Sequence, residues 1–264
     1  MIRYSANITI MMSAARKASK SILRDFGELE KLQVSIKGQN DFVTMADIKA
    51  QEIIHYELSR ARDNYGFLME ESKNRNKIED NEFTWIIDPI DGTRSYVSGN
   101  PTWSNLISLN YDRSPVIGLA NFPKLKKFYM NINKTTAYVY ENKKKRRLKV
   151  NKKVKFKNIK LAAAFHGWLP IKKQLKIKKF LNKMQFPCFD ALTYAQLAEG
   201  RVDVVVQCAN KIWDVHALIP IINAAGGVIT TWENKDPALA GNIAVSNNKV
   251  NHLKILKLLK PALK

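Results

Sequence analysis

Acidic residues are scarce in this 264-residue chain, 23 Asp and Glu against 44 Lys and Arg. The places where they gather therefore carry information. Four groups stand out: Asp41 with Asp47, Glu70 with Glu71, Asp88 with Asp91, and Asp214. The most telling string is Trp85-Ile86-Ile87-Asp88-Pro89-Ile90-Asp91-Gly92-Thr93. An apolar run delivers Asp88 to a strand end. Pro89 fixes the backbone and removes an N–H, and Gly92 permits a turn with positive φ. Two carboxylates across such a turn can converge, and they repel unless a cation sits between them. Oxygen donors with no Cys or His in the string favour Mg²⁺ over zinc. The N–H groups of Gly92 and Thr93, if they open a helix, face an anion such as phosphate. Cation and amide cradle together suit phosphoryl chemistry. Asp-Pro or Asp-Gly alone reads as an ordinary turn; the whole string goes beyond that.

The elements that must position these residues follow from periodicity. Ile8–Phe26 reads as an amphipathic helix, and Ala46 to about Arg62 as a second. Gly38-Gln39-Asn40-Asp41 reads as a loop or tight turn. Trp85–Ile87 reads as a buried strand stopped at Asp88-Pro89. Asn105–Tyr111, Pro115–Asn121, Lys127–Asn131 and Thr136–Glu141 read as antiparallel-type strands. Lys143–Lys160 holds 11 basic residues and no acid, and is the candidate subdomain junction. Beyond it, Lys160–Phe165, Val202–Gln207 and Val228–Trp232 read as strands. Ile171–Met184, Ala191–Glu199 and Val250–Leu259 read as helices. Trp213–Ala225 reads as one helix kinked at Pro220 and closed by Gly226-Gly227. Strands alternating with helices in this half suggest α/β layers.

Composition bounds the function. With 45% hydrophobic and 25% charged residues the chain is an ordinary globular protein, not a disordered one. No apolar run approaches the ~20 residues of a membrane span, and Met1–Met12 lacks a signal-peptide core. Cys188 and Cys208 are the only cysteines. That excludes a disulfide scaffold and a Cys-rich zinc site, and fits a reducing cytoplasm. The formal charge of +21 has two readings. One is an electropositive surface for nucleic acid, anionic lipid or phosphorylated substrates. The other, favoured by the excess of Lys over Arg and the sparse aromatic interleaving, is compositional drift.

Asp88-Pro89-Ile90-Asp91-Gly92-Thr93 resembles the first signature of the inositol monophosphatase family of metal-dependent phosphatases. Trp213-Asp214-Val215-His216-Ala217 through Ala225-Gly226-Gly227 resembles the second. Glu70-Glu71-Ser72 and Asp41-Phe42-Val43-Thr44 through Asp47 are similar to two further family segments, in the family's order. The resemblance implies a mixed α/β fold, a layered αβαβα sandwich. Residues 1–150 form an α+β N-terminal half and 151–264 an α/β C-terminal half, with the site between them. It implies two Mg²⁺ ions, and a third, weaker one in some members near Glu70. Glu70, Asp88, the Ile90 carbonyl, Asp91 and Asp214 are the implied ligands, with Asp88 bridging. Thr93 with Asp47 would orient the attacking water, and Glu71 would support. Gly92, Thr93, Arg94, Asp190 and Asp214 are the implied substrate contacts. A homodimer is typical of the family, and no membrane association is expected.

Arg94-Ser95-Tyr96 after Thr93, the Asp190 segment and Ala217-Leu218-Ile219-Pro220 resemble the histidinol-phosphatase branch. Histidinol phosphate carries an amine and an imidazole that a carboxylate at Asp190 can pair with; alternatively Asp190 caps the following helix. Arg94 is either a substrate contact or a surface ion-pair partner. Three positions depart from the pattern. Cys188-Phe189 stands where Gly-Gly is typical, Met69 replaces a Gly, and His216 replaces a small residue. His216 reads first as a packing residue, and as a supporting hydrogen-bond donor second. Tyr65 and Trp103 read as core or pocket wall. A thiol nucleophile is not expected. Three functions follow: a Mg²⁺-dependent phosphatase for histidinol phosphate, one for inositol-1-phosphate or sugar phosphates, or a protein associating with RNA or the transcription machinery.

Overall fold

The computed structural model describes residues 4–28, 34–38, 41–72, 81–142, 144–165 and 167–264, and for 34–38 and 41–43 the backbone only. The chain opens with α1 (Tyr4–Phe26), the paired strands β1 (Val34–Gly38) and β2 (Asp41–Thr44), and α2 (Met45–Ala61). Then come β3 (Gly66–Met69), β4 (Phe83–Asp91), the short α3 (Thr93–Val97), β5 (Ser104–Tyr111), β6 (Ser114–Phe122), β7 (Lys127–Asn133), β8 (Thr136–Glu141) and β9 (Lys144–Arg147). The second half holds β10 (Leu161–Ala164), α4 (Ile171–Lys176), α5 (Lys178–Leu181), α6 (Asp190–Ala198), β11 (Val204–Asn210), α7 (Ile212–His216), α8 (Leu218–Ala225), β12 (Val228–Thr231), β13 (Gly241–Ser246) and α9 (Lys249–Leu259).

β3 to β9 form a seven-stranded sheet in sequence order, and β10-β11-β13-β12 a four-stranded one. Among the strands named here, β3–β4 and β10–β11 pair in parallel. Burial sorts the helices into layers. Met11, Ile22, Ile54 and Leu58 of α1 and α2 pack on Trp85, Ile107 and Leu119 of the large sheet. Between the sheets, Leu197 of α6 and Ile222 of α8 meet Phe122 and Tyr129 on one side and Val205 and Val245 on the other. Phe180 of α5 and Ile255 and Leu259 of α9 cover the small sheet's outer face. The fold is thus the expected αβαβα sandwich. Covering both faces of a sheet explains the uninterrupted apolar run of β4.

Several expectations need correction. β4 does not stop at Asp88 but runs through Pro89 to Asp91 on a bulge. Ile171–Met184 is two short helices parted at Ile177. Trp213–Ala225 is likewise two, parted at Ala217, since Pro220 has no N–H to return to His216. Asp190 is not a cap: the cap residue is Phe189, and Asp190 is the first helical residue with φ +29°. β3, β9 and β13 had no clear sequence signal. Gly38 of β1 and Asp41 of β2 are paired; Gln39 and Asn40 lie outside the described residues, as do Lys143 and residues 73–80.

Part of the basic run has a structural role. Lys144–Arg147 are all exposed on the edge strand β9, and charge on an edge discourages pairing with other chains. Arg146 reaches the buried Glu199 carboxylate at 3.0 Å, joined by Arg201 at 2.6 Å. Among the described residues no helix is long and apolar enough to cross a membrane.

Candidate active site

Parallel pairing places Met69 of β3 opposite Ile87 of β4. The next residues, Glu70 and Asp88, therefore reach the same carboxyl end of the sheet, and Glu70 N–H donates to Ile87 O at 3.1 Å. Beyond Asp88 the strands fall out of step: Asp88 faces Leu106 and Asp91 faces Ser104 of β5. This bulge absorbs Pro89, whose carbonyl accepts from Asn105 Nδ2 at 2.5 Å, and re-aims the chain so that Asp91 rejoins Asp88. Asp214 arrives from the other half, in the first turn of α7, where its Oδ2 accepts the Lys211 N–H at 2.7 Å. Trp213 packs on Leu68 and Ile86 and seats that turn on the sheet.

The result is a tight acidic cluster. Carboxylate oxygens of Asp88, Asp91 and Asp214 lie within 4.8 Å of one another. Burial, then the charges of Glu70, Asp91 and Asp214, push the Asp88 carboxyl well above the usual range. Burial and the charges of Asp190 and Asp214 push Asp91 up as well, against hydrogen bonds from Ala191 N–H and Ser104 Oγ that favour its ionised form. Among the described residues, Asp88 Oδ1 is buried without a hydrogen-bond partner. An orphaned carboxylate oxygen facing other carboxylates fits a divalent cation, and the all-oxygen donor set fits Mg²⁺.

Gly92 caps α3 with φ +82°. Thr93 Oγ1 donates to Ile90 O at 3.1 Å, which leaves that carbonyl a second lone pair. The strained Asp190 is clamped on both sides. Asp91 Oδ2 takes the next N–H, from Ala191, at 3.0 Å, and Gln207 Nε2 donates to Asp190 O at 3.4 Å.

Glu70, Asp88, Ile90, Asp91, Gly92, Thr93, Arg94, Asp190 and Asp214 all line one cavity of about 400 Å³. Asp47 and Glu71 do not line it. Asp47 is fully buried at the start of α2, where its Oδ2 accepts from Thr44 N at 2.8 Å and Thr44 Oγ1 at 2.5 Å. The Asp41 side chain lies outside the description. The cavity also takes in Trp168, Gln207 and Asn210, which no sequence motif marked. The hint was their place, just past or within strands whose carboxyl ends face the site.

Burial raises Cys188 and Cys208 to about 11, so both thiols stay protonated. His216 accepts from Asn110 Nδ2 at 2.9 Å and donates to Ala238 O at 2.9 Å, buried as a neutral ring. Trp103 sits in the core against Phe26 and Tyr96, and Tyr65 stacks on Phe83.

Comparison with known proteins gives one answer on kinship. The model of the inositol monophosphatase family matches residues 4–264. An inositol-1-monophosphatase of Mesorhizobium japonicum is 33% identical over 266 residues, 98% of each chain. A histidinol-phosphatase of Mycobacterium tuberculosis is 27% identical, over 95% of this chain and 96% of its own. The crystal structure of extragenic suppressor protein suhB from Bartonella henselae superposes with a TM-score of 0.86 at 32% identity, over 97% of this chain and 98% of that one.

Proposed function

This chain belongs to the inositol monophosphatase family, and from that premise we propose that it is a Mg²⁺-dependent phosphomonoesterase for a small phosphate ester. The observation that carries this is the buried, unpartnered Asp88 Oδ1 among the carboxylates of Asp91 and Asp214. Glu70, Asp88, the Ile90 carbonyl, Asp91 and Asp214 would hold the ions. Bound divalent ions acidify a coordinated water and offset charge on the phosphate and the leaving oxygen. The backbone N–H groups of Gly92 and Thr93 bind and orient the phosphate. The Thr93 hydroxyl, in the cavity wall, would orient the attacking water; Asp47, buried outside the cavity against Thr44, would act only through the turn that carries Thr93. Arg94, in the same cavity wall, contacts the substrate.

The leaving alcohol is the finer question. Asp190 adds an acid to the cavity, which favours an alcohol carrying an amine, as in histidinol phosphate. The name of the 33%-identical relative favours inositol-1-phosphate instead. Phosphate release from each ester with Mg²⁺, with Asp88→Asn as the control, tests both. A preference of about two orders of magnitude for histidinol phosphate, lost in the control, supports the first. Equal turnover points to a generalist. No release from either ester removes the enzymatic reading.

A second reading is association with RNA. Its support is the exposed β9 together with a cavity lined by Lys153, Lys155, Lys157 and Lys160. RNA affinity that falls steeply with salt would favour it, and no binding at physiological salt removes it.

A further inference from the structure

Trp168 stands apart from the other tryptophans. Trp85, Trp103, Trp213 and Trp232 are at most 8% exposed, whereas Trp168 is 44% exposed and lines the acidic cavity. Its position follows from the small sheet. β10 and β11 run parallel, with Ala164 opposite Gln207. The segments that follow therefore leave at one carboxyl edge, the usual place for a ligand in such sheets. Cys208 Sγ donates to Phe165 O at 3.2 Å and ties the two segments together. Gly167, with φ +78°, turns the chain, and the Trp168 N–H closes the turn on Phe165 O at 2.7 Å. An indole at the wall of a polar cavity offers a ligand there a broad apolar face with one N–H.

The cavity has two kinds of wall. The carboxylates, Gly92 and Thr93 face the phosphate end. Trp168, Phe189, Gln207 and Asn210 are among the residues left to meet the rest of the substrate. Arg94, Ser95, Ser98 and Asn100 line the cavity too, so hydrogen-bonding groups alone do not decide the alcohol, and the aromatic and charged groups do. An indole face attracts cations, and Asp190 in the same cavity supplies the opposite charge. We propose that Trp168 is a specificity-determining residue that covers the leaving alcohol and, with Asp190, selects phosphate esters of amino alcohols. This deepens the phosphatase reading and rests on it for turnover, but not for binding.

Two measurements test it. Steady-state kinetics compare histidinol phosphate with inositol-1-phosphate in the wild type, Trp168→Ala and Trp168→Phe. The expected result is a KM for histidinol phosphate raised about 3- to 30-fold in Trp168→Ala with kcat nearly unchanged. Trp168→Phe keeps most of the affinity, and the inositol ester is unaffected. Equal change for both esters, or for neither, overturns the proposal. The second measurement is tryptophan emission during titration with histidinol or with inositol, neither of which carries phosphate. Histidinol should change the emission of the wild type and not of Trp168→Phe, with inositol silent. If the wild type releases no phosphate from either ester, this titration still decides. A Trp168-dependent response to histidinol upholds the subsite while the phosphatase reading fails, and no response overturns the subsite.

Discussion

Gly92 and Asp190 come from opposite halves of the chain and meet in contact: a β-carbon on Gly92 would lie 2.8 Å from Asp190 Oδ2. Gly92 also holds φ +82°. Position 92 therefore resists a side chain, through its left-handed backbone first and through the Asp190 carboxylate second.

Gly92→Ala should lower kcat/KM at least about tenfold and cost about 1–2 kcal/mol through its left-handed backbone alone. Adding Asp190→Ala relieves the contact but not the backbone strain, so the double variant should recover part of the stability lost. Thermal melts and kinetics of the two variants check this. Wild-type activity in Gly92→Ala would show that the halves do not close as described.

The carboxylate cluster predicts a coupling between cation and stability. Asp88 is pushed up in the folded state by burial and by Glu70, Asp91 and Asp214. A carboxyl raised on folding contributes most below its unfolded value, and that contribution is lost as pH rises through its folded value. At neutral pH the cation-free cluster therefore costs stability. Millimolar Mg²⁺ should raise the melting temperature of the wild type. Asp88→Asn should match or exceed the cation-free wild type in stability and lose most of the Mg²⁺ response, while phosphate release falls by several orders of magnitude. A full Mg²⁺ shift in Asp88→Asn would move the cation elsewhere.

Gly118 of β6 fixes where Asp214 sits. A β-carbon there would lie 1.8 Å from Ala217 O, at the break between α7 and α8. Backbone against backbone has no rotamer to yield. Gly118→Ala should cost about 3 kcal/mol, the upper range for overpacking, and should reduce activity by displacing α7. Urea unfolding measures the first effect and phosphate release the second. A loss under about 1 kcal/mol would mean the helix pair does not rest on the sheet there.

The strands and turns that deliver Asp88, Asp91 and Gly92 were legible because their residues state local needs: an apolar run, a proline without an N–H, a glycine for positive φ. Asp214 was legible through its motif rather than through periodicity. The breaks at Ile177 and Ala217 were hidden because apolar spacing continues across them. The bulge at Asp88–Asp91 was hidden because it depends on the register with β5. Trp168 and Gln207 were invisible as site residues: only the parallel pairing of β10 and β11 brings them to one edge. Within the basic run the strand Lys144–Arg147 was hidden because it depends on pairing with β8 rather than on a local pattern.

His252 gives the clearest pH prediction away from the site. Its ring is buried, with Nε2 2.9 Å from Thr230 Oγ1 and Nδ1 3.2 Å from Ser246 Oγ, and burial lowers it to about 4. Unfolded, a histidine titrates near ~6.5. Between those values the unfolded chain binds the proton and the folded one does not, so stability falls as pH drops. The loss should begin near pH 6.5 and approach as much as about 3 kcal/mol by pH 4, with His216, also lowered by burial, adding in the same direction. The measurement is urea unfolding at pH 7.5 and 4.5 for the wild type and for His252→Gln, which keeps a polar group toward Thr230 but cannot take up the proton. The variant should be less stable at pH 7.5 yet lose distinctly less on acidification. Equal acid losses in both proteins would mean that His252 takes up its proton without unfolding the α9 face of the small sheet.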